Sequence, residues 1–292
     1  MNITRRNAIG KIGTIVGFGA LPGLAGSVEA ANKLLGTELS GTIKHSVCKW
    51  CYGDIPLEEF CQAAKQIGLQ SVELLGPHEW PVLKKYGLTC AMPQGAGLGI
   101  TRGFNNPELH NELVEDYQRV IPMVAEAGFE KIICFSGNRN GMDDETGLLN
   151  CTQGLKRVMK TAEKYKVTVC MELLNSKIDH PDYQCDHTEW GVKLCNRIGS
   201  SRFKLLYDIY HMQIMEGDVI RTIRDNHEYI AHYHTGGVPG RNEIDETQEL
   251  YYPAIIKAIV ETGYDGFVGQ EFIPTWDDEL AALKQGVEIC DV

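Results

Sequence analysis

No stretch of this chain clusters lysine and arginine: 28 basic residues stand against 39 acidic ones, for a formal net charge of −11. That excludes the electrostatic footprint of a nucleic-acid binder and suits a small polar substrate. No second Cys-x-x-Cys pair accompanies Cys48-Lys49-Trp50-Cys51, which excludes a four-thiolate zinc site. The pair also follows a strand instead of opening the helix of a thioredoxin-like unit. The ten cysteines are scattered, and Cys90, Cys134 and Cys170 fall inside expected strands. There, reduced thiols serve as small apolar side chains; a disulfide between Cys48 and Cys51 stays open. No G-x-G-x-x-G follows the first strand, which disfavours an open doubly wound sheet. The apolar run 12–26 is short for a membrane span and diluted by glycine.

That run belongs to an N-terminal segment unlike the rest. Arg5-Arg6, a moderately apolar middle and Val28-Glu29-Ala30 describe a twin-arginine export signal, expected to be cut after Ala30. An amphipathic helix is the alternative, penalised by Gly10, Gly13, Gly17 and Gly19. Losing Arg5, Arg6, Lys11 and Glu29 would leave the mature chain at −13. The expected organisation is a signal at 1–30, a polar linker at 31–41 and one catalytic domain at 42–292. The expected location is the periplasm or another exported site, or the cytoplasm if the signal does not operate.

From residue 43 onward, short apolar runs alternate with segments of helical periodicity. Strands are expected at 43–50, 71–75, 88–92, 130–135, 167–172, 203–208, 229–234 and 266–271, each followed by a helix. Alternation argues a parallel sheet, and the number eight argues closure into a (β/α)8 barrel, the TIM barrel architecture.

The last four of these strands end on Glu172, Asp208, His234 and Glu271, at intervals of 36, 26 and 37 residues. In a barrel the four side chains converge at the carboxyl edge of the sheet, where such folds keep their chemistry. A lone acid at a strand end is usually a loop hydrogen-bond partner, but four on successive units point to a metal site. Three carboxylates and an imidazole suit one divalent ion, Mn²⁺ or Mg²⁺ first and Zn²⁺ or Co²⁺ next. His232, on the same strand face as His234, reads as a core histidine. Glu73, His187 and Trp50 are weaker candidates, and Trp50, His78, Phe104 and Trp276 could form apolar walls.

The chain resembles the hydroxypyruvate isomerase and ketose 3-epimerase branch of the xylose isomerase-like barrels. The likeness lies in Met171-Glu172-Leu173-Leu174-Asn175, Asp208-Ile209-Tyr210-His211-Met212, His232-Tyr233-His234, Gly237-Val238-Pro239-Gly240-Arg241-Asn242-Glu243 and Gly269-Gln270-Glu271. The resemblance implies that Glu172, Asp208, His234 and Glu271 bind the metal and that the two glutamates also carry protons. It implies too that His211 and Arg241 hold the substrate, His211 from the loop beyond its strand, and that the barrel forms homo-oligomers. His234 is similar to the epimerases, since hydroxypyruvate isomerases often carry glutamine there.

The expected chemistry is isomerisation or epimerisation of a small hydroxy-carbonyl compound, a carbohydrate or hydroxy-keto acid, through a metal-bound enediolate. The export signal keeps open a lyase or epimerase acting on 3-keto sugars or oxidised glycosides. Apurinic-site nucleases of the same barrel need further ligands, and the Asp-x-His after the seventh strand is missing; a non-catalytic sugar binder is the remaining reading. Residues 1–35 fused to a reporter should carry it out of the cytoplasm, and Arg5→Lys with Arg6→Lys should retain it there. A reporter that stays cytoplasmic with both arginines present removes the export reading.

Overall fold

The computed structural model describes residues 39–95 and 97–292; the expected signal and most of the expected linker lie outside the described residues. Seven parallel strands form one sheet in the order β2-β1-β7-β6-β5-β4-β3. They are β1 (Lys44–Cys48), β2 (Ser71–Glu73), β3 (Lys131–Cys134), β4 (Thr168–Leu173), β5 (Phe203–Asp208), β6 (Ile230–Thr235) and β7 (Phe267–Gln270). Every residue of β4 is buried, as expected of a parallel strand covered on both faces.

Helices α1 (Leu57–Ile67), α2 (Trp80–Lys85), α3 (His110–Glu126), α4 (Asp144–Tyr165) and α5 (Thr188–Ile198) separate the strands of the first half. Helices α6 (Ile209–Met215), α7 (Val219–Asn226), α8 (Tyr252–Glu261) and α9 (Glu279–Cys290) follow in the second. Their ends are locally encoded. The Asp143 carboxylate accepts the Thr146 N–H at the start of α4, and Gly68, in the left-handed region at φ 101°, closes α1. The main core lies between sheet and helices, and a small apolar cluster of Met92, Ile133, Cys170 and Leu206 sits apart from it. No helix among the described residues is long and apolar enough to cross a membrane. All ten cysteines are free and buried, Cys48 and Cys51 among them, so this pair forms no disulfide.

Two expectations need correction. The third strand expected at 88–92 does not form; Thr89 makes a single bridge to Ser71. The backbone still occupies the gap between β2 and β3: Val72 N–H donates to Thr89 O at 3.1 Å, Leu74 N–H to Met92 O at 2.8 Å, and Ile133 N–H to Pro93 O at 3.2 Å. Two features stop it from becoming a ladder. The Ser71 hydroxyl captures the Ala91 N–H at 2.8 Å, and Pro93 has no N–H to offer. Seven strands and one irregular segment therefore close the ring. The second correction concerns His211, expected in a loop. The Asp208 carboxylate accepts the His211 N–H at 3.2 Å and caps the short helix α6, so His211 sits in its first turn.

Removing the Ser71 hydroxyl leaves a buried N–H without its acceptor, which costs about 1–3 kcal/mol. Ser71→Ala should lower the free energy of unfolding by that amount; an unchanged midpoint in urea would mean that the hydroxyl does not hold the seam.

Candidate metal centre

Register explains why the four strand ends meet. Glu172 pairs with Leu206, which shares a face with Asp208; Asp208 pairs with His234, and His234 with Gly269, two residues before Glu271. With a side-chain period of two, all four ligand candidates share one face of the sheet. Cys48 pairs with Glu73 on the neighbouring strands. Gly269 is required here, because a Cβ at that position would lie 2.0 Å from Glu73 Oε1 and 2.9 Å from the His234 ring.

One donor atom from each of Glu172, Asp208, His234 and Glu271 lies within 4.8 Å of the others, and all four residues are buried. His234 Nδ1 is 2.6 Å from Glu271 Oε2 and 3.5 Å from Glu172 Oε1. Yet neither His234 Nδ1 nor Glu271 Oε2 has a partner in hydrogen-bond geometry. The donors face a shared point more than they face one another, and three buried carboxylates exceed the local positive charge. The set fits a divalent cation on both counts.

Burial raises the Glu172 carboxyl, and it pushes Asp208 up to about 7. Glu271 goes the other way: burial alone would raise it, but the charges of His234 and Arg241 override that and hold it well below the usual range. The Trp50 indole donates to Glu271 Oε1 at 2.7 Å and adds to the effect.

Arg241 follows Gly240 and adopts the left-handed region at φ 59°, a conformation that costs a non-glycine residue about 1–3 kcal/mol. Its contacts offset that cost. Arg241 Nη2 lies 3.2 Å from Asp208 Oδ2 and 2.9 Å from Glu271 Oε2, while Nε donates to the Glu271 carbonyl at 3.1 Å. The loop bearing Arg241 is tied to the loop after β7 through Glu243, whose carboxylate accepts from Thr275 and Trp276 N–H groups.

A cavity of about 450 Å³ opens above the cluster. Glu172, Glu271, Arg241, His180, Gln94 and Trp50 line its polar part, and Leu74, Ile100, Ile133, Phe135 and Leu174 its apolar wall. Asp208 and His234 are fully buried beneath. His211 is buried with its Nε2 3.6 Å from Asp208 Oδ2. The structure thus brings together Glu172, Asp208, His234, Glu271, Arg241, His211 and Trp50.

Glu73 lies on the far side of His234, its Oε1 3.6 Å from His234 Nε2 and its Oε2 2.8 Å from His232 Nε2. It backs the cluster without lining the cavity, and His232 is buried beside it. His187 is not brought in: its side chain is half exposed against Asp186, in a surface cleft with Trp190 and Arg197. Phe104 is buried against Tyr117 and His110 and forms core, not wall. His78 is exposed beside Glu79. Sequence reasoning missed His180 and Asp179, in the long polar loop after β4, whose length was their only signal.

Residues 52–290 match the xylose isomerase-like TIM barrel family. A 2-oxo-tetronate isomerase from Cupriavidus necator is 37% identical over 108 residues, which cover 37% of this chain and 41% of that protein. The chain thus spans about two-fifths of the length of that relative. The hydroxypyruvate isomerase of Escherichia coli K12 is 26% identical over 224 residues, covering 73% of this chain and 86% of that protein. Among solved structures, the apo form of a 3-keto-D-glucoside 4-epimerase from E. coli superposes with a TM-score of 0.71 at 18% identity, covering 84% of this chain and 97% of that one. With residues 52–290 matched, this chain belongs to the xylose isomerase-like TIM barrel family.

Proposed function

We propose that this protein is a divalent-metal-dependent isomerase or epimerase of small hydroxy-carbonyl compounds, with Glu172 and Glu271 as its proton carriers. One observation carries the reading: of the four clustered ligand candidates, only these two line the cavity, while Asp208 and His234 are sealed beneath it. The relatives' names, 2-oxo-tetronate isomerase and hydroxypyruvate isomerase, support the same class.

Glu172, Asp208, His234 and Glu271 would hold the ion, Mn²⁺ or Mg²⁺ by the carboxylate-rich donor set. Such an ion acts as a Lewis acid, which makes the C–H beside a carbonyl more acidic. The chain's own residues do the rest. Glu172 and Glu271 come from non-adjacent strands, so one can take a proton from a carbon of the substrate. The other can return it to the neighbouring carbon or to the opposite face of the same carbon. Arg241 places positive charge beside Glu271 and can bind a substrate oxygen. The apolar wall excludes water from the reacting carbons.

A second reading rests on the cavity. A volume of about 450 Å³ with an apolar wall exceeds what a three-carbon keto acid fills. This favours a keto sugar or an oxidised glycoside, on which the same proton abstraction leads to epimerisation or to elimination of an aglycone. The twin-arginine segment supports the same substrates, as an exported protein would meet them outside the cytoplasm.

In deuterated water the metal-loaded protein should wash deuterium into the carbon beside the carbonyl of its substrate. Hydroxypyruvate, ketoses and 3-keto-glycosides serve as the panel, read by mass spectrometry. Glu172→Gln and Glu271→Gln should each lower exchange and turnover by about 10²–10⁴-fold; a variant with unchanged exchange removes that glutamate from the mechanism. Chelation should abolish turnover and restored Mn²⁺ or Mg²⁺ should recover it. Full activity with no bound divalent ion would sink the metal assignment.

A further inference from the structure

His211 is buried beside the site, and one of its ring nitrogens, Nε2, has no hydrogen-bond partner. Which hydrogens it carries decides what it can recognise, since a neutral imidazole has one donor and one acceptor nitrogen. The answer lies in Asn175. Its side-chain oxygen accepts two backbone N–H groups, from Ile178 at 3.0 Å and Asp179 at 2.9 Å. With the oxygen so engaged, the amide cannot be turned over, and its NH₂ must point the other way. There it meets Asp179 Oδ2 at 2.6 Å and His211 Nδ1 at 2.7 Å. Both amide hydrogens are spent and both neighbours act as acceptors. Asp179 is itself fixed by the Tyr210 hydroxyl at 2.8 Å.

We propose that Asn175 is a positioning residue that locks His211 as the neutral Nε2–H tautomer, so that His211 presents a hydrogen-bond donor to the site. A donor recognises an acceptor atom, so the lock sets which partner His211 can take at the cluster, and this rests on the metal reading above. With its Nδ1 satisfied by an amide, His211 serves as a fixed dipole and not as a third proton carrier. Asp208 Oδ2, 3.6 Å from Nε2, is the acceptor that this donor faces.

The test is the tautomer itself, read on the full-length Mg²⁺-loaded protein labelled with ¹⁵N-histidine and assigned by comparison with His211→Gln. Long-range nitrogen–proton correlation spectra should show the His211 Nε2 as the protonated nitrogen and Nδ1 as the bare one. A protonated Nδ1, alone or together with Nε2, overturns the proposal. Asn175→Asp removes both amide donors, so the pattern should be lost and kcat/KM should fall by about 10–100-fold, the range for outer-shell changes at metal sites. An Asn175→Asp protein that keeps the wild-type spectrum and kcat/KM also overturns it. The spectra of the wild type need no substrate, so failure of the deuterium-exchange assay and failure of the tautomer assignment are separate outcomes.

Discussion

Three buried carboxylates within 4.8 Å of one another and of an imidazole are the constraint on which this structure depends. Charges of one sign at that spacing repel and lose their hydration. The barrel supplies the rigidity that keeps them there. Four neighbouring parallel strands, with one register shift between β5 and β6 at Leu205/Leu206, aim their last side chains inward, and no strand can relax without breaking ladders on both sides. Arg241 adds a positive charge between Asp208 and Glu271, at the cost of a left-handed backbone, and the oxygens of the centre are of the class that suits a divalent cation.

Much of this was legible in the primary structure because its signals are periodic. The runs that carry Glu172, Asp208 and His234 at their ends are short and apolar and stand at repeat-length intervals, whereas the one-residue register shift that sets His234 opposite Asp208 has no periodic signal. The expected third strand failed because the deciding contacts are not periodic. A serine hydroxyl twenty residues away takes the Ala91 N–H, and residues 88–92 taken alone carry no trace of that. His211 was expected in a loop but lies in a helix, since the cap that starts α6 is the same Asp208 that reads as a ligand. His187 shows the opposite failure: a histidine after a functional-looking loop, held at the surface by Asp186.

The polar residues differ in how firmly they are held. His234 is flanked by Glu271 and Glu172 on one side and Glu73 on the other, so its ring has little freedom to turn. Glu172 is anchored through its backbone, whose carbonyl accepts the Tyr183 hydroxyl at 3.0 Å, and Tyr183 in turn accepts the Ser136 N–H beyond β3. Glu271 is steadied at both carboxylate oxygens, by Trp50 and by Arg241. Restraint of this kind would lower the reorganisation needed in the proposed proton transfer.

The irregular segment between β2 and β3 divides the cavity in a way that bears on how the protein could change. The charged groups at its base come from β4 to β7, the regular arc of the ring, whereas Leu74, Gln94, Ile100, Ile133 and Phe135 flank the seam. Backbone there is held by single hydrogen bonds instead of ladders, so side chains and loop length can vary without disturbing the register that sets the ligands. Chemistry and molecular fit are thus written on opposite arcs of one ring, and a lineage could acquire a new substrate by redrawing the seam while inheriting the charged arc intact.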